Sequence, residues 1–312
     1  MLDLFHVPSN TDSTKIFYTQ GATAWQTWEK PRNAKFIQIF CLGGGAGGGG
    51  AAGNGAANSA GGGGGGGGAA FSKGIFPAFL LPDTLYVQTG LGGTGGTGNA
   101  GAGSGTAGTA GAISYVSISP STTTTAIIMQ SATTTGAGAG GAGTTTTAGA
   151  AGAAGTVWTL TNNAFTSIGL AVASSGVAGT IAGVLNAPAA GPIALASNIV
   201  TGGSGGAGKN ANTSQFNGST LAPASVILLS PVSGGLAPGG VGNSGYGSLN
   251  PFCGMGGAGG ASSLTTKGGR GGDGWYGSGG GGGGAGLSTA TPGGGGNGGK
   301  GGDGLVIITT IT

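Results

Sequence analysis

The stretch KGGRGGDGWY, Lys267–Tyr276, returns further on as NGGKGGDGLV, Asn297–Val306. In both, a long polar side chain stands at every third position with two glycines between. A left-handed polyproline-type backbone has three residues per turn and rises about 3.1 Å per residue. On such a backbone Lys267, Arg270 and Asp273 share one edge, as do Asn297, Lys300 and Asp303, and glycine covers the other two edges. Glycine faces allow several of these helices to lie side by side. Because the helix has no internal hydrogen bonds, each backbone must donate to and accept from its neighbours. Collagen is excluded, since the frame is short, carries two glycines per triplet and has almost no proline. The expectation is therefore packed polyglycine II helices, in which Gly299→Val or Gly302→Val does far more damage than Lys300→Ala.

The same period appears less strictly at Thr94 and Thr97 in TGGTGN, and at Gly149, Gly152 and Gly155 in GAAGAAG. Of 312 residues 83 are glycine, against nine basic and six acidic residues. Such glycine content usually marks a flexible linker. Disordered chains, however, are poor in apolar residues, and here 38% of residues are hydrophobic with a mean hydropathy of +0.23. The chain reads as folded. Glycine in a regular element is worse than alanine by roughly 0.5–1 kcal/mol, so dense backbone hydrogen bonding has to offset a large entropy cost.

Strand signals, meaning short runs of β-branched and aromatic residues, fall at Lys35–Leu42 (KFIQIFCL) and across 76–90, broken by Pro82 and Asp83. Others fall at 112–119, 126–130, 156–161, 193–200, 225–229 and 305–312. No window combines helix formers, a 3.6-residue apolar period and caps. The expected fold is all-β, short strands in a sandwich-like core combined with packed polyglycine II helices. Its expected parts are an N-terminal attachment or strand segment (1–34), a first glycine-rich β portion (35–119), a Thr/Ala-rich inserted β region or set of display loops (120–230), and a second glycine-rich portion (231–312) ending in a strand.

Reaction chemistry is sparse. With so many glycines, matches to G-x-G-x-x-G carry no information. GGGNGGKG puts Gly301 where a phosphate loop needs Ser or Thr after Lys300. GGSGG around Ser204 fits the nucleophile-elbow pattern without its strand-turn-helix setting. The single histidine, His6, has no marked partner. Asp3, Asp12, Glu29, Asp83, Asp273 and Asp303 are the whole acidic supply, too scattered for a metal cluster. No enzyme, cofactor or metal is expected, and Asp273 and Asp303 are assigned to local backbone N–H groups where each helix meets a strand. The cluster Lys30, Arg32 and Lys35 sits beside Glu29 and reads as a solvated strand entry rather than a nucleic-acid patch. Cys41 and Cys253 read as small buried thiols. No signal peptide and no membrane span are expected. The candidate binding residues are aromatics in glycine-rich surroundings, Trp158, Tyr246, Phe252, Trp275 and Tyr276, since rings on rigid loops suit sugar or protein surfaces. The competing reading is that they plug small cores between glycine layers.

Trp28–Pro31, the strand Phe36–Leu42 and GGGAGGGG at Gly43–Gly50 resemble the opening of the glycine-rich domain of phage tail fibres and other virion proteins. PDTLYVQTGLGGTGGTG resembles its middle strand, and GGNGGKGGDGLVIIT, Gly295–Thr309, its ending. More loosely, the chain resembles T-even-type fibre-tip adhesins with sandwiched polyglycine II helices. The resemblance implies a virion protein assembled in the host cytoplasm, homo-oligomeric (a trimer in the fibre case), in contact with other virion proteins. It implies attachment to a host-surface glycan or protein. Two other readings stand beside it: a purely structural capsid decoration or tail component, and an extracellular ice- or surface-binding glycine-helix protein.

Overall fold

The computed structural model describes residues 13–312 apart from 56, 135, 159–169, 175–199, 211–213, 223–229, 250–251 and 290–292. In chain order its strands are β1 (Ser13–Phe17), β2 (Gln26–Glu29), β3 (Phe36–Leu42), β4 (Gly53–Asn54), β5 (Phe71–Pro77), β6 (Thr84–Gln88), β7 (Tyr115–Ser117), β8 (Ile127–Gln130), β9 (Leu170–Ser174), β10 (Gly247–Leu249), β11 (Phe252–Gly254), β12 (Gly286–Leu287) and β13 (Leu305–Ile311). The one helical element among the described residues is a 3-10 turn, Ala78–Leu80. The protein is thus nearly all β. No helix among the described residues is long and apolar enough to cross a membrane.

Two antiparallel sheets dominate, one ordered β1-β13-β3-β5-β9 and the other β2-β6-β7-β8. Alternation along each strand decides what they bury. Ile37, Ile39 and Cys41 of β3 and Val306 and Ile308 of β13 join Trp28, Leu85, Val87, Val116 and Met129 of the second sheet in one hydrophobic cluster. The opposite face of β3 and β13 supplies a smaller cluster of Phe40, Leu42 and Leu305 with Ala69 and Val200. The strand pair expected within 76–90 lies differently. Its first member starts earlier, at Phe71, and the Ala78–Leu80 turn precedes β6. The strand expected at 225–229 falls wholly outside the described residues and that at 193–200 does so except at Val200, while among the described residues 156–158 the pairing is an isolated bridge at Val157.

The strands do not end in ordinary loops. β3 and β5 pair from Phe36↔Pro77 to Leu42↔Phe71, and the same register runs on through glycine: Gly43 donates to the carbonyl of Ala70, Ala46 to Gly67, Gly49 to Gly64 and Ala52 to Gly61. Only the period changes, from two residues to three. The β13–β3 register, Leu305↔Leu42, continues as Gly45 to Gly302, Gly48 to Gly299 and Ala51 to Gly296. The β6–β7 register, Gln88↔Tyr115, continues as Ala112 to Leu91, Thr109 to Thr94 and Thr106 to Thr97.

The result is an array of extended tracts bonded to one another at every third residue. Tract 43–52 donates to 60–70, 105–112 and 294–304 through Ala46, Gly47 and Gly48, and accepts from 90–99, 136–144 and 277–286 through Gly93, Gly140 and Gly280. Tract 277–286 likewise donates to 43–52, 200–209 and 267–276, and accepts from 60–70, 254–263 and 294–304. Both are enclosed by six neighbours, so their backbones need no water. Tracts 136–144, 147–155 and 200–209 bond into this same array. Within the region expected as an insertion or display loops, these three described tracts therefore contribute to the common body, because their Gly/Ala triplets offer the same bonding faces.

Glycine is required here for close approach rather than for unusual dihedrals. A Cβ on Gly48 would lie 2.1 Å from the carbonyl oxygen of Gly281, and one on Gly63 would lie 2.0 Å from that of Gly49. Left-handed dihedrals occur instead at bends such as Gly277 and Gly294.

Candidate functional site

Tracts 267–276 and 294–304, which carry the two repeated frames, are parallel neighbours: Gly268, Gly271, Gly274 and Gly277 donate to the carbonyls of Gly294, Asn297, Lys300 and Asp303. In each frame the glycine pairs are buried while Arg270 and Lys300 reach solvent. Arg270 pairs with Asp273, and Lys300 Nζ lies 2.9 Å from Asp303 Oδ1, one turn away on its own tract.

The polar residues of these frames stand where an outer tract lacks a neighbour. Asp303 Oδ1 accepts from Gly92 N at 2.8 Å and Asn297 Oδ1 from Gly98 N at 2.9 Å. Asp273 Oδ1 accepts from Lys300 N at 2.6 Å. The sequence points these carboxylates at N–H groups near their own strand junctions; the N–H groups they accept from lie on adjacent tracts, because tract spacing brings those groups within reach of a short side chain. Thr109 and Thr106 do the same with hydroxyls, accepting from Thr94 N at 2.7 Å and Thr97 N at 2.8 Å. Ser204, in the elbow-like GGSGG, is fully buried, donating to the Ser219 carbonyl and accepting from Gly259 N. It is a packing hydroxyl with no open face.

Where the two tracts reach the sheets, Asp273–Tyr276 and Lys300–Asp303 enclose an open cleft of about 350 Å³. Trp275 and Tyr276 form one wall, their ring centroids 5.1 Å apart in an edge-on arrangement. The Tyr18 ring centroid lies 5.8 Å from that of Tyr276, in a tilted arrangement. Burial, with Tyr18 and Asp303 nearby, pushes the Tyr276 phenol above its ordinary pKa. Trp275 is fixed by glycine, since its indole occupies the space a side chain on Gly247 or Gly254 would need. The β10–β11 hairpin contributes those glycines, a supporting role that nothing in its sequence announces.

The other aromatic candidates are dispersed. Trp158, a binding candidate if displayed, is only 7% exposed and belongs to the main hydrophobic cluster; its ring fills that core, so it is a structural residue and not a displayed one. Tyr246 is exposed, with its hydroxyl donating to the Ser230 carbonyl. The side chain of Phe252 lies outside the described residues, as does His6. Cys253 is buried, and so is Cys41, whose thiol is pushed up by that burial.

Two poles flank the cleft. At the sheet pole Phe36 is 45% and Phe79 82% exposed, around an apolar groove shared with Pro77. Ser13 and Thr310 pair near this end, as do Ile311 and Phe36. Lys30, from the basic cluster, is held there by Asp83 at 3.1 Å and by the carbonyls of Ala78 and Leu81. At the opposite pole, loops close the tracts: Gly53 bridges Gly103, and Asn54, Asn58 and Ser59 border Thr145 and Thr146. Buried Lys209 supports them, Nζ donating to the carbonyls of Gly55 at 2.9 Å and Asn58 at 2.5 Å. No family model matches the sequence, and no curated protein matches it.

Proposed function

We propose that this chain is a non-enzymatic phage virion protein, displayed on the particle as a fibre tip or spike and used in host-surface attachment. Its glycine tracts are read as polyglycine II helices and its two sheets as a sandwich. The three-residue bonding period, the six-neighbour surroundings of tracts 43–52 and 277–286 and the sub-contact distances at their glycines support the helix reading. The shared cluster of residues from both sheets supports the sandwich.

The observation that carries the attachment reading is the polarity of the body. The paired ends of β1, β3 and β13 and the exposed rings of Phe36 and Phe79 gather at the sheet pole, and small polar loops gather at the other. A protein held at the sheet pole, by a second copy or another virion protein, projects its loops outward on a rigid stem. The resemblance of Trp28–Gly50 and Gly295–Thr309 to glycine-rich virion domains gives the phage setting. The test is to label virions with antibody to the chain and to incubate purified protein with host bacteria before infection. Labelling at the particle surface together with blocked adsorption is expected. Labelling without cell binding or blocking would replace attachment by a purely structural role.

A further inference from the structure

We infer that the cleft between Asp273–Tyr276 and Lys300–Asp303, where the tracts reach the sheets, is a binding site for a neutral saccharide; this rests on the attachment reading and adds to its distal loops a second, lateral contact with one ligand class. Its volume of about 350 Å³ falls at the small end of ligand pockets, roughly 300–1,000 Å³. Gly274, Gly301 and Gly302 line it, so a ligand can approach peptide groups without obstruction by side chains. Trp275 and Tyr276 supply aromatic surface, which suits the C–H faces of a sugar ring.

The polar rim selects against other ligands. Oδ1 of Asp273 accepts from Arg270 and Lys300 N, and Oδ1 of Asp303 from Lys300 Nζ and Gly92 N. Neither Oδ2 has a partner among the described residues, leaving acceptors for hydroxyl donors. Lys300 Nζ, with three N–H groups and one pairing to Asp303, leaves donors for hydroxyl oxygens. The charges are balanced in pairs, Arg270 with Asp273 and Lys300 with Asp303. An anionic ligand would face two carboxylates, and a cationic one would face Lys300 and carboxylates already neutralised by Arg270 and Lys300. A neutral polyol with one apolar face meets all of these groups. The site is rigid because both walls are tracts bonded into the array, which lowers the ordering cost of binding.

The test uses the full chain on a printed array of neutral oligosaccharides of glucose, galactose, mannose and N-acetylglucosamine. The strongest is then titrated by calorimetry and by tryptophan fluorescence. Trp275→Ala is expected to weaken binding about two- to twelvefold, as loss of an aromatic platform does. Asp273→Asn, which retains the acceptor for Lys300 N, should weaken it severalfold. Tyr276→Leu, which removes the second ring, should weaken binding likewise and guards against a Trp275 variant that fails to fold, and each variant's melting curve is recorded. Absence of binding to every oligosaccharide, or wild-type affinity in folded Trp275→Ala, Tyr276→Leu and Asp273→Asn, overturns the inference. Cell adsorption that is unchanged in all three variants leaves attachment standing and removes the cleft from it. Oligosaccharide binding at the cleft without cell adsorption does the reverse.

Discussion

Adding one methyl group inside the array should be more damaging than deleting a whole charged side chain at its edge. A Cβ on Gly299 would sit 1.9 Å from the Gly272 carbonyl oxygen, whereas real Cβ contacts essentially never fall under 3.0 Å. Tract 294–304 would have to recede by about 1 Å. Gly271 N to Asn297 O (2.9 Å), Gly274 N to Lys300 O (2.8 Å) and Gly299 N to Gly281 O (2.7 Å) would be stretched past bonding range. At a net ~1 kcal/mol each, with ~1–3 kcal/mol of overpacking strain, Gly299→Ala should cost roughly 4–6 kcal/mol. At about 2–4 °C per kcal/mol in a large domain, the melting temperature should fall by roughly 8–24 °C. Two controls isolate the cause. Gly101→Ala meets nothing closer than Asn99 Oδ1 at 3.8 Å and should be neutral or stabilising by about 0.4–1 kcal/mol. Lys300→Ala removes one exposed ion pair, worth about 0–1 kcal/mol. Differential scanning calorimetry on the three variants decides the matter: equal melting shifts for Gly299→Ala and Gly101→Ala would refute close tract packing.

Asp303→Ala removes the acceptor for Gly92 N and should cost about 1–2 kcal/mol, while Asp303→Asn retains an acceptor and should cost less; urea titration separates them. Cys41 titrates near pH 8.5 when unfolded, and its native pKa is raised by burial. The native state therefore keeps a proton that the unfolded state loses, and stability should fall above about pH 8.5 by up to ~1.4 kcal/mol per pH unit. Cys41→Ala should flatten that part of a stability-versus-pH curve, whatever its constant cost. Lys209→Met leaves the carbonyls of Gly55 and Asn58 without their donor and should cost about 1–3 kcal/mol, read as a lower urea midpoint with increased proteolysis at 53–59. In hydrogen exchange, the amides of Gly45–Ala51 and Gly279–Ala285, which face neighbours on all sides, should be among the slowest.

Much of the architecture could be read from the periods. The triplet spacing of Lys267, Arg270 and Asp273 points to one polar edge and two glycine faces, and β3 and β13 declare themselves by apolar runs. Register is another matter. That Leu42 faces both Phe71 and Leu305 depends on which tracts meet, and glycine faces are chemically identical along their length. For the same reason the link from Asp303 to Gly92 was invisible: any exposed N–H at the right spacing would have served. Trp158 misleads because glycine-rich flanks look like a loop, whereas the ring belongs to the core between the sheets. The Trp275–Tyr276 wall could be suspected from its sequence, but its partners across the cleft come from the second copy of the frame.

The unbroken registers also limit how such a protein can change length. Tract 43–52 is matched position by position to 60–70 and to 294–304, so inserting a triplet in one arm displaces every bond beyond it unless its partners lengthen by the same three residues. Those partners are tied to further tracts, including 277–286. Length is therefore a collective variable of the whole body, inherited as a unit. Insertions are cheap where a tract turns, as at 53–59, 99–104 and 145–146, the pole where variation could be tried without disturbing the stem.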